Sequence, residues 1–332
     1  MGSTFEANLD TSNHSKALLE STLPPNLIVI PFSAVSIILN ILTVAIIACS
    51  EILRTKCFVL LAVNSAADGL VGVTYLATAS LRVYRHFSSV GEVMDTWHCC
   101  MELALVIFAQ IWSLGMNIAL VIKRILAIFC PIRYRTWSYR QLTIPLVSSA
   151  VLFALVQLSV HLVSSWLNAD VLLTSCGIED TLSTPSLSGL TAIQITTSVI
   201  VIGLHAVLVY GVRKQKKKIR VVPTRATAVV RRQMAKLDAD MKFLKAVSGI
   251  VVTQSCTIAA RFVVFFMDMF SGGTFRVLSS RYGGLVVVMS CSVGFLSLTV
   301  MSSQFRRAAK KLFRLEKVMV SATNVVLHLE MK

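Results

Sequence analysis

The chain has 332 residues, of which 55% are hydrophobic, and its mean hydropathy is +0.74. Charged residues make up 14%, against roughly 25% in ordinary globular chains, which excludes a soluble domain of this length. A net charge of +16 fits either a nucleic-acid binder or the cytoplasmic face of a membrane protein, and the placement of the charges decides between them.

Residues 1–25 are expected to form an N-terminal segment before the first span, and its start, MGSTFEANLDTSNHSK, is polar and lacks the basic region and apolar core of a cleavable signal peptide. Glu6 stands where a myristoylation motif beginning at Gly2 needs Ser or Thr. Asn13-His14-Ser15 is an N-glycosylation sequon, so this stretch reads as an extracellular segment with Asn13 as acceptor. A spanning helix needs about 20 mostly apolar residues. Seven stretches qualify: 26–49, 57–82, 99–122, 142–166, 189–211, 243–269 and 282–301. The expected fold is therefore an all-α membrane protein, a seven-transmembrane helix bundle over 26–302.

Lys and Arg set its orientation. With the N-terminus outside, 26 of the 32 fall in cytoplasmic segments. The outer segments hold Lys16, Arg82, Arg85, Arg276 and Arg281, and Arg261 lies within the sixth span. This asymmetry is what the positive-inside rule demands, and it removes the nucleic-acid reading. The basic loop 213–240 reads as a surface attracted to anionic lipid, as a partner surface, or as both. In residues 303–317, Phe305, Ala308, Ala309, Leu312 and Phe313 recur at helical spacing, with Arg306, Arg307, Lys310 and Lys311 between them. That pattern predicts an amphipathic helix lying in the membrane interface. Residues 318–332 are expected to form a loose cytoplasmic tail, and neither an internal repeat nor a second domain is evident.

Few residues in the spans carry chemistry. Asp68 is a carboxylate in mid-membrane and needs a partner there. Of eight cysteines, Cys99, Cys100 and Cys176 fall on the oxidising side, which leaves two pairings with Cys176 open. His98-Cys99-Cys100 lacks the two further ligands that a metal site needs, so no metal is expected. Arg261 is the most costly residue in any span; it binds an anionic group or pairs internally with Glu102 or Asp268. Lys123 and Arg124 end the third span, where a bland reading has them snorkel to the headgroups.

That third-span end, IWSLGMNIALVIKRILAIFCPIRYR, carries a resemblance. In rhodopsin-like (class A) G-protein-coupled receptors an acid-Arg-aromatic triplet is followed by xAIxxPxxY, and Arg124, Ala127, Ile128, Pro131 and Tyr134 match that pattern. The chain is similar to this family over roughly 26–315. The resemblance implies that Arg124 contacts a heterotrimeric G protein in the active state, joined by Tyr210, with Lys123 in the place of the acid. It implies a Cys99–Cys176 disulfide. It also implies a polar core of Asn40, Asp68 and Ser113 able to hold a sodium ion, against which stands a hydrogen-bonded packing knot with no ion. Residues 303–317 resemble the family's eighth helix.

The departures are equally specific. Lys123 repels Arg124 where an acid would pair with it. The sixth span reads SCTIAARF in place of the Cys-Trp-x-Pro switch, and the seventh ends in Gly294 to Leu298 in place of Asn-Pro-x-x-Tyr. Such drift on a retained scaffold is similar to the nematode-type serpentine chemoreceptors of invertebrates. Val106 occupies the position where amine receptors keep an Asp, which disfavours a biogenic amine, and the seventh span has no Lys to hold retinal.

The function expected is a receptor in the plasma membrane that senses an extracellular small molecule or peptide. Glu102, Val106, Arg261 and Asp268 are its candidate pocket residues, and a heterotrimeric G protein is its partner. The alternatives are a receptor-like scaffold that does not couple, or a channel or transporter; transporters often show internal symmetry, and none is evident here. An intramembrane enzyme is disfavoured, since Asp68 is a lone carboxylate and His161 and His205 have no evident nucleophile beside them.

Overall fold

The computed structural model describes residues 3–53, 56–88, 94–173, 176, 184–220 and 274–313. The sixth predicted span, with Arg261 and Asp268, lies outside the described residues. Helix α1 is Ser3–Cys49, α2 is Lys56–Phe87, α3 is Thr96–Phe129 and α4 is the short Pro131–Thr136. They are followed by α5, Tyr139–Leu167, α6, Thr184–Arg220, and α7, Thr274–Met301; a last helix, α8, covers 303–313. In hydrocarbon every backbone polar group must be satisfied within the segment, so long apolar stretches resolve into helices. Five described helices are long and apolar enough to cross a membrane, and Ile195–Gly211 within α6 is a shorter apolar helix.

Three of the helices start at local signals that the sequence carries. Asp95 caps α3 by accepting the His98 backbone N–H at 2.7 Å. Ser138 and Gln141 form a reciprocal capping box that opens α5. Pro131 opens α4, at a position where its missing N–H costs nothing.

Helix α3 is the hub, packing on α2, α5 and α6, while α1 packs on α2 and α7. The most apolar window of α3 is 67% buried and that of α5 only 22%, so α3 runs through the bundle and α5 lies at its lipid-facing edge. Close approach requires glycine at the α3–α5 crossing. A Cβ on Gly115 would sit 3.0 Å from the Ala150 Cβ, tighter than ordinary contact. Around that crossing the apolar core gathers Met116, Leu120 and Ala150 with Ile46, Leu60, Leu61 and Phe305.

Several helices exceed their predicted spans. Helix α1 runs back over residues that read as a polar segment, and α6 continues through Arg220 into the basic stretch that read as a loop. For α6 the reason lies in propensity, since the Lys, Arg and Gln of its basic end are strong helix formers outside the bilayer as well as inside it. A two-residue antiparallel ladder is added to the helices, pairing β1, Met94–Asp95, with β2, Leu172–Leu173. The Val171 carbonyl extends it, accepting both the backbone N–H and the hydroxyl of Thr96.

At the opposite end α8 buries Phe305 against Phe295, ring to ring at 5.9 Å, and leaves Arg306, Arg307, Lys310 and Lys311 exposed. The Arg306 guanidinium donates to the Thr299 and Val300 carbonyls, which closes the C-terminal end of α7.

Candidate functional site

The polar residues of the spans form a seam along α3, which is best followed from the ladder end inward. Cys99, at the start of α3, is joined by a disulfide to Cys176, while Cys100 is a free buried thiol. On α2, Arg82 donates to the Cys176 carbonyl, so the loop beyond α5 is tied to both helices. Arg82 and Arg85 converge on Glu102 of α3. The Arg85 Nη1 stands 2.5 Å from Oε2, and the Arg82 Nε stands 3.8 Å from Oε1. Glu102, one of the two acids offered to Arg261, has Arg82 and Arg85 of α2 as its cationic partners among the described residues. Val106, one turn further along, is buried among Leu103, Ile107, Ile111 and Ala154 and belongs to the core.

Two turns below Arg82, the Tyr75 hydroxyl accepts a hydrogen bond from the Gln110 amide of α3. Gly284 of α7 lies against the same ring, where a Cβ would come within 2.6 Å of it.

Two turns lower again stands Asp68, 1% exposed. Its Oδ1 accepts from the Ser113 hydroxyl and its Oδ2 from the Asn64 amide at 3.1 Å. The Cys291 thiol of α7 lies beside the same carboxylate. Burying a carboxylate costs several kcal/mol unless its oxygens are hydrogen-bonded, and here each has a donor. Asn40 joins this centre indirectly. Its amide donates to the Ser36 carbonyl at 2.9 Å and to the Cys291 carbonyl at 3.3 Å, which ties α1 to α7.

At the other end of α3, neither Lys123 nor Arg124 reaches water; they are 1% and 5% exposed. That burial argues against the snorkelling reading, and neither cation is without a partner. His205 of α6 is also buried and lies within electrostatic reach of Arg124. Tyr210, further along α6, is 66% exposed. Asn13 falls within α1.

The structure brings Asp68 and Ser113 together as the sequence suggested, and adds Asn64, Cys291, Tyr75, Gln110 and the placement of His205, which the sequence reading missed. One signal was available: Asn64 precedes Asp68 by one helical turn, and Tyr75 and Arg82 follow it at steps of seven.

A family model described as the serpentine type 7TM GPCR chemoreceptor Srsx matches residues 33–313. The chain belongs to this family. It is accordingly a multi-pass membrane protein of the G-protein-coupled receptor kind. Squid rhodopsin has a similar fold, with a TM-score of 0.67 over 90% of this chain and 86% of that one. At 12% identity that similarity speaks to the fold alone. None of the curated proteins matches the sequence.

Proposed function

We propose that this Srsx-family chain is a chemoreceptor of the plasma membrane, with its N-terminus outside, that binds a small extracellular ligand and activates a heterotrimeric G protein. The observation that carries the reading is family membership over nearly the whole chain. The Cys99–Cys176 disulfide and the basic ends of α6 and α8 support this orientation, since disulfides persist on an oxidising face and Lys and Arg favour the cytoplasmic one. Ligand binding among the outer helix ends would bias a two-state bundle whose inner face presents Arg124. Lys123 occupies the position of the acid, so the inactive state lacks that ion pair and basal activity follows.

The test is ligand-free G-protein activation in cells at matched surface expression. Wild type is expected to be active, Arg124→Ala silent and Lys123→Asp reduced. Silence of all three against every G-protein class sinks basal coupling and leaves a ligand-dependent receptor or a non-coupling scaffold.

Sodium is proposed for the centre at Asp68. The Asp68 carboxylate, the Ser113 hydroxyl and the Asn64 Oδ1 are oxygens that fit it, and that Oδ1 is buried without a hydrogen-bond partner among the described residues. When bound, the ion would supply a fixed positive charge beside Asp68 and favour its ionised form.

A further inference from the structure

We infer that the Arg82–Glu102–Arg85 group at the disulfide end is the recognition site for a small carboxylic acid that carries a neighbouring hydrogen-bond donor, the class of α-hydroxy and α-amino acids. Two guanidiniums converge on one carboxylate at the disulfide end of the bundle. Both arginine side chains remain partly open to solvent, at 29% and 28%, whereas Glu102 is nine-tenths buried beneath them.

A guanidinium offers five donors in a planar fork that matches a carboxylate, and Arg85 commits one Nη to Glu102. An acid entering from solvent therefore meets arginine first.

The second feature is the Glu102 Oε1. It is buried without a hydrogen bond among the described residues, because the Arg82 Nε at 3.8 Å is too distant to make one. A buried carboxylate oxygen in that state calls for a donor, and a hydroxyl or ammonium next to a ligand carboxylate supplies it. The arginines select the acid and Glu102 selects its donor. The Arg82 contact to the Cys176 carbonyl places the disulfide loop against the same group, so an occupant is felt by α2, α3 and that loop together.

This inference rests on the receptor reading for its biological sense, but its test does not use coupling. The purified full-length protein in lipid nanodiscs is titrated with L-lactate and L-serine, with acetate (no donor) and ethanolamine (no carboxylate) as matched probes, and thermal unfolding is followed. Lactate or serine should raise Tm in a saturable way, acetate should act far more weakly, and ethanolamine should not act.

Arg85→Gln should weaken half-saturation by roughly tenfold or more, the loss expected for a hydrogen bond to a charged group. Glu102→Gln should narrow the gap between lactate and acetate. The Cys99–Cys176 disulfide, checked by mass spectrometry, shows that each variant is folded at this end. Absence of any shift up to molar acid, an equal response to acetate and lactate, or an unchanged response in a folded Arg85→Gln protein overturns the assignment. G-protein coupling can be silent in the cell assay while these shifts appear, and the reverse, so the two ideas fail separately.

Discussion

His205 of α6 and Arg124 of α3 lie within electrostatic reach of each other inside the bundle, both buried. A fixed cation buried inside the bundle is costly, and a second one beside it adds repulsion with little water to screen it. His205→Lys is therefore expected to destabilise the protein by roughly 3 kcal/mol, the order of cost for a lysine at a helix centre. His205→Gln, which keeps a polar side chain of similar size, should stay close to wild type. Thermal unfolding in nanodiscs checks both, and equal Tm values for the lysine and glutamine variants would show that the two side chains do not interact.

The sodium proposal has its own readout. Replacing choline chloride by sodium chloride at constant ionic strength should raise the Tm of wild type in a saturable way, because a ligand that binds the folded state stabilises it by mass action. Asp68→Asn should abolish the dependence while keeping most of the hydrogen bonding. Identical curves in the two salts for wild type would mean that Asn64, Ser113 and Cys291 satisfy Asp68 without an ion.

The disulfide gives a contrast between adjacent cysteines. Cys99 and Cys176 close a long loop between α3 and the segment after β2, and its loss should cost roughly 2–5 kcal/mol. Cys176→Ser should therefore lower Tm markedly and reduce surface expression. Cys100→Ser, at a buried free thiol, should be mild. Comparable losses from both changes would mean that packing around the cysteines, and not the covalent link, holds this end.

The α3 cap predicts a pH dependence. The His98 backbone N–H, and then its side chain, hold the Asp95 carboxyl below the usual carboxylate range. A carboxyl whose pKa is lowered by folding stabilises the fold above its ordinary value and loses that contribution as pH falls through the folded-state value. Asp95→Ala should therefore lower Tm at neutral pH, and the gap from wild type should close as the medium is acidified below the carboxylate range. Asp95→Asn, still able to cap, should lie nearer to wild type. A gap that does not change with pH would separate the cap from the charge.

Much of this was legible in the letters because membrane spans obey a strong and simple constraint. Twenty apolar residues and a one-sided charge count do not depend on tertiary contacts, and the Arg124 motif is compact enough to read by eye. The polar seam was harder. Glu102 and Arg82 are distant in sequence, and nothing in either neighbourhood says which cation a buried acid will meet; the crossing of α2 and α3 decides it. His205 was invisible as a partner of Arg124 for the same reason. Hydropathy marks the apolar span and not the helix, so the continuation of α6 into its basic extension could not be read from it.

The seam has a mechanical consequence. Asp68, Tyr75 and Arg82 recur every seven residues on α2, about 10 Å apart along its axis, and each is joined to a residue of α3: Ser113, Gln110 and Glu102 respectively. Three rungs in one register work like teeth on a rack. Sliding α2 past α3 by a single helical turn, about 5.4 Å, would unmesh all of them together. The two helices are thus locked in register as one unit, and α6 packs on the far side of α3, where His205 lies near Arg124.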